Sequence, residues 1–138
     1  MMKKRIIAAL VLAGLLACLM PAHAASLERA WMVYEDYSGN RVEQSIENAK
    51  TLKSLEQIMN RAKKNPAKLE DCTVNCTLFC MSGGEIYDFA CATDGCPYIQ
   101  NRSTDRTYSL GDDFDDFWSI FADVRIGMGF DASSVFVW

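Results

Sequence analysis

Five cysteines crowd between positions 72 and 96, and Gly83-Gly84 sits between the third and fourth of them. Thr73-Val74-Asn75 and Thr77-Leu78-Phe79 are strand-forming stretches, so the cluster reads as β-structure. A two-residue loop at Gly83-Gly84 makes a hairpin, and the loop length fixes the strand register. That register sets Cys76 opposite Cys91 and Cys80 opposite Tyr87. Val74, Leu78 and Cys80 then share one apolar face with Tyr87 and Phe89. Directly opposed antiparallel residues have Cα atoms about 4.5–5.5 Å apart, within reach of a disulfide. Cys76–Cys91 is therefore the first disulfide candidate. Cys72 and Cys96 flank it and can form a second, although the Asp94-Gly95 turn can also carry Cys96 away. Cys80 is left as the unpaired cysteine, expected in the core. The rival pairing, Cys91 with Cys96, leaves Cys76 for another partner, so connectivity stays open.

The first 24 residues read as a leader. Lys3, Lys4 and Arg5 precede an apolar run from Ile6 to Met20, and Pro21 breaks it before Ala22-His23-Ala24. The expectation is a signal peptide over 1–24 and a single exported domain over 25–138, periplasmic or secreted. Leu15-Leu16-Ala17-Cys18 resembles a lipoprotein box and gives the alternative of a lipid anchor through Cys18, although Leu16 is bulky for that motif. The apolar run is shorter than the ~20 residues of a comfortable bilayer span, and no later stretch is longer.

Removing the leader changes the chemistry available. His23, the one histidine, leaves with it, which excludes Ser-His-Asp triads, Cys-His pairs and His-ligated zinc. Lys3, Lys4 and Arg5 leave too, so 11 of the 14 basic residues face all 18 acidic ones and the net charge moves from −4 to −7. An acidic surface argues against nucleic acid. All three Trp, five Tyr and seven Phe lie beyond residue 24, enough to build a core.

The remaining elements follow from periodicity. Residues 29–46 read as a hairpin about Gly39-Asn40, with Val33 facing Ile46, Tyr37 facing Val42 and Trp31 on the same side. Asn48 or Thr51 caps a helix to about Lys64, with Leu52, Leu55, Met59 and Ala62 as its stripe and Lys63 and Lys64 in its last turn. Residues 72–110 form a meander turning at Gly83-Gly84, Asp94-Gly95 and Ser103-Thr104-Asp105. Asp112 caps a second helix to about Arg125, with Phe114, Phe117, Trp118, Phe121 and Val124 inward. Val135-Phe136-Val137-Trp138 is a final strand. The predicted fold is α+β: a small antiparallel sheet, N-terminal hairpin plus Cys-rich meander, with two helices packed on it.

Function is constrained mainly by exclusion. Asp112, Asp113, Asp115 and Asp116 invite a calcium reading, but acids in a first helical turn complement the macrodipole and no loop of alternating oxygen ligands is present. No catalytic, cofactor or metal residues are assigned. The expected function is a small non-enzymatic exported binding or inhibitor module for a protein or envelope partner of basic surface. Its loops Thr93-Asp94-Gly95 and Ser103-Thr104-Asp105 are the candidate contacts. The alternative is a periplasmic thiol-redox or metal-handling protein using the cysteines. No cysteine pair has Cys-x-x-Cys spacing, and thiols in an oxidising compartment tend to pair as disulfides.

Overall fold

The computed structural model describes residues 26–65, 69 and 72–129; the expected leader, Cys18 and the expected strand 135–138 lie outside them. Alternating apolar residues and turn glycines give seven strands: β1 (Leu27–Glu35), β2 (Arg41–Ile46), β3 (Lys63–Asn65), β4 (Val74–Ser82), β5 (Glu85–Ala92), β6 (Tyr98–Asn101) and β7 (Arg106–Ser109). Helix α1 (Ala49–Arg61) joins β2 to β3; a 3-10 turn (Gly111–Asp113), α2 (Phe114–Ile120) and α3 (Ala122–Gly127) follow β7. The strands form one antiparallel sheet in the order β2-β1-β4-β5-β6-β7-β3, and the fold is α+β as the sequence predicts.

One face of the sheet carries the main core. Ala30 and Met32 of β1, Cys76, Leu78 and Cys80 of β4, and Tyr87, Phe89 and Cys91 of β5 point the same way. Leu52, Leu55 and Met59 of α1, Phe117 of α2, Val124 of α3 and Phe121 between those two helices close over them. Asn48 caps α1, its side chain accepting the Thr51 amide at 3.1 Å. Gly83 and Gly84 take positive φ in the two-residue loop, and from Cys76 to the loop the β4–β5 register is the expected one, with Cys76 opposite Cys91 and Cys80 opposite Tyr87. A bulge before Cys76 pairs Val74 with Ala92 and turns it off the expected face, to pack with Ala90 and Ala92.

Three further expectations are corrected. The first hairpin pairs Tyr34 with Val42 and Ala30 with Ile46, three residues away from the predicted register. Asp36 causes the shift. Its carboxylate accepts the Ser38 amide at 2.9 Å, the Asn40 amide at 3.0 Å and the Asn40 side chain at 2.8 Å. This knot closes a five-residue loop, Asp36 to Asn40, in which Gly39 supplies positive φ. An odd shift exchanges the faces. Trp31 and Val33 therefore oppose Ser45 and Glu43, and Tyr37 stands 97% exposed in the loop.

Lys63 and Lys64 are not in a last helical turn. The chain turns extended at Ala62, and β3 pairs with β7, setting Lys63 opposite Ser109 and Lys64 opposite Tyr108. The free backbone of β7 is satisfied this way, and a short Lys-bearing edge strand resists further pairing.

The second helix is broken, giving three α-helices among the described residues where two helices were expected. Phe121 leaves helical geometry at φ −104° and ψ 41°, separating α2 from α3. Asp112 lies in the 3-10 turn, whose N-cap is Leu110, and no side chain caps it. Asp113 instead takes the Arg61 guanidinium through two 2.9 Å hydrogen bonds, tying the end of α1 to the start of α2. The apolar stripe holds: Phe117, Trp118, Phe121 and Val124 are buried, and Phe114 packs at the margin.

Candidate functional site

Side chains alternate across a strand, so residues between the core positions lie on the opposite sheet face. Among the described residues no α-helix packs there. Trp31 of β1 sits directly opposite Phe79 of β4, their rings stacked at 5.2 Å and 15°. The Arg29 guanidinium lies over Trp31 at 5.0 Å, held by Ser45 at 3.0 Å and Glu47 at 3.4 Å. Met81 and Ile86 oppose each other one step along, with Ile86 57% exposed. Arg102 borders the strip, donating to Thr77 at 3.1 Å and lying 3.9 Å from Asp88. The strip has an apolar aromatic centre and a rim of both charges. The sequence signal for it was the run Leu78-Phe79-Cys80-Met81, apolar at both parities, which marks a strand apolar on both faces.

The same face holds a second feature near its β5–β6 end. Leu69 covers Ala90 and Ala92, and Cys72, Val74, Cys96 and Tyr98 pack around them. The Asp94-Gly95 turn folds back here. Asp94 accepts the Thr73 amide at 2.7 Å and the Cys96 amide at 3.3 Å, while the Thr93 amide and hydroxyl both donate to the Thr73 carbonyl. These bonds bring Cys96 back beside Cys72. The two sulfurs and an Asp94 oxygen all lie within 4.8 Å of one another. Such a set, two thiols and a carboxylate, can ligate a thiophilic divalent cation with a position left open. The Thr73 amide, then the Cys96 thiol, holds the Asp94 carboxyl below its usual range. Cys72, then Asp94, pushes the Cys96 thiol up to about 12.

The other three cysteines lie on the helix-covered face. Cys76, Cys80 and Cys91 are buried, and all five cysteines in the described residues are thiols in the structure. Burial pushes the Cys76 thiol up to about 12 and raises Cys80 and Cys91. Cys80 contacts the Met59 sulfur at 4.0 Å and Cys76 the Met128 sulfur at 3.8 Å.

The two expected contact loops lie at opposite ends of β6. Thr93 is buried and bonded inward, so only Asp94 and Gly95 of the first loop face solvent. Ser103, Thr104 and Asp105 are exposed, with Asp105 at φ 56°. Asn101 accepts the Ser103 amide at 2.9 Å and orders that turn.

Comparison with protein-family models, curated proteins and solved structures finds no match for the chain.

Proposed function

We propose that this protein is a small exported binding module, without enzymatic activity, that engages a protein of basic surface through the uncovered face of its sheet. The observation that carries the reading is the Trp31–Phe79 stack with Arg29 over it, set among Met81, Ile86, Asp88 and Arg102. Buried aromatics and arginine are the usual anchors of protein interfaces, inside a polar rim that excludes water. Arg29 is held in place before binding, so little ordering cost falls on it. The net charge of −7 beyond the leader favours encounter with a cationic partner, and the apolar centre supplies the contact once they meet. The exposed turn Ser103-Thr104-Asp105 adjoins Arg102 and extends the same rim.

The test compares captured proteins between wild type and a Trp31→Ser/Phe79→Ser variant shown by circular dichroism to be folded. A basic protein retained at low salt by wild type and lost by the variant is the expected result. Equal retention by both, or capture of envelope polymer and no protein, overturns it.

A further inference from the structure

We propose that Cys72 and Cys96 are the thiol–disulfide exchange site of the folded protein, reacting with a disulfide-bearing partner and closing across the open end of the β4–β5 hairpin. The inference is independent of the binding reading above. It rests on the division of the cysteines between the two faces. Exchange requires a partner sulfur to approach the attacking thiolate, so access decides which cysteines react. Cys76, Cys80 and Cys91 are sealed beneath the helices, with Cys80 and Cys91 wholly buried. Cys72 and Cys96 are partly exposed on the other face, with their sulfurs within 4.8 Å.

Asp94 is the positioning residue. It holds the amide next to Cys72 and the amide of Cys96 itself, so the two thiols are gathered before any bond joins them. Both thiols are partly exposed and lie side by side, so either can open the exchange and the other resolve it, as the steps with Cys72 first illustrate. The Cys72 thiolate attacks one sulfur of the partner disulfide, and the other departs as a thiolate that takes up a proton. Cys96 then loses its proton to solvent and attacks the Cys72 sulfur, releasing the second partner thiol. Two protein thiols lose two electrons, and one partner disulfide gains them as two thiols.

The test treats the purified protein with a non-thiol phosphine, equilibrates it in glutathione redox buffers, quenches by alkylation and maps the peptides. Cys72 and Cys96 should pass together into one linked peptide, while Cys76, Cys80 and Cys91 keep their starting state. Cys96→Ser should accumulate a glutathione adduct at Cys72. Cys72→Ser should accumulate the matching glutathione adduct at Cys96. Asp94→Ala should slow ring closure and leave the first step unchanged, so the Cys72 adduct builds up. Three outcomes overturn the proposal: free Cys72 and Cys96 in the most oxidising buffer, exchange at Cys76 or Cys91 in folded protein, or stoichiometric zinc that shields both thiols.

Discussion

Gln44 on β2 donates from its side-chain amide to the Ile120 carbonyl at 2.8 Å, joining an edge strand to the last residue of α2. Its carbonyl oxygen accepts the Asp123 and Val124 amides at 3.1 and 3.3 Å, at the start of α3. One carboxamide thus satisfies an end of each helix, groups that otherwise lack intrahelical partners. Gln44→Ala should cost about 1–3 kcal/mol in urea denaturation, because the helix break stays while its partner is gone. Gln44→Glu should fall between the two proteins at neutral pH: it keeps the acceptor for α3 and turns a carboxylate toward the Ile120 carbonyl.

Gly127 ends α3 against the same strand. A methyl group there would stand 2.5 Å from one Val42 methyl carbon and 3.0 Å from its Cβ, and the Cβ cannot swing aside. Gly127→Ala should therefore destabilise by about 1–3 kcal/mol even though alanine is the better helix former. Val42→Ala in the same chain should recover most of that loss, giving a coupling of opposite sign in a double-mutant cycle. Additive costs would remove the clash as the cause.

These contacts mark the boundary of what the sequence could reveal. The β4–β5 register was legible because the Gly83-Gly84 loop and the Cys76–Cys91 opposition agree on it. The helical stripes were legible because Leu52, Leu55 and Met59, and Phe117, Phe121 and Val124, repeat on one face each. The first hairpin was misread because Gly39-Asn40 imitates a tight turn, while the closure depends on three hydrogen bonds to Asp36. The helix break at Phe121 finds its hydrogen-bond partner in Gln44, far away in sequence, and no local pattern announces it. The site was legible only in part. The cysteines stood out, but Trp31 and Phe79 meet only once the register of β1 on β4 is known. The return of Cys96 to Cys72 depends on the bonds Asp94 makes to Thr73 and Cys96.

Asp94 makes the open end of the β4–β5 hairpin sensitive to acid. The Thr73 amide, then Cys96, lowers its carboxyl in the folded protein below the ordinary value of 3.8. A depressed folded value stabilises the structure above the unfolded value, and the contribution is lost as pH falls through the folded one. Amide exchange should thus show Thr73 and Cys96 opening as pH falls below about 4, with the core strands still protected. Asp94→Asn should open these amides to the same degree at every pH. A pH dependence that survives in Asp94→Asn would assign the effect to another group.

Phe117 reads out the main core. It lies fully buried, with its ring 5.4 Å from Trp118 and 5.5 Å from Phe121. Phe117→Ala should cost about 3–5 kcal/mol, a large share of the stability of a domain this small. Trp31→Ala, on the uncovered face, should cost distinctly less. The two substitutions compared in one urea series separate core aromatics from surface ones, and equal losses would mean that the Trp31 face is packed as tightly as the core.

Cys80 should be the cysteine that reagents do not find. It is 0% exposed, stands opposite Tyr87 and touches the Met59 sulfur of α1 at 4.0 Å. Burial raises its thiol pKa, so the reactive thiolate is scarce as well as unreachable. Alkylation of Cys80 should therefore wait on opening of the helix layer, and its rate in dilute urea should rise with the unfolded population. Cys80→Ala should remain a folded monomer, losing about 1–2 kcal/mol of packing. Cys80→Ser should lose more, because a hydroxyl has no partner among Leu78, Tyr87 and Met59. A reducible dimer abolished by Cys80→Ala would show instead that Cys80 reaches a second chain, and the closed face described here would have to open for it to do so.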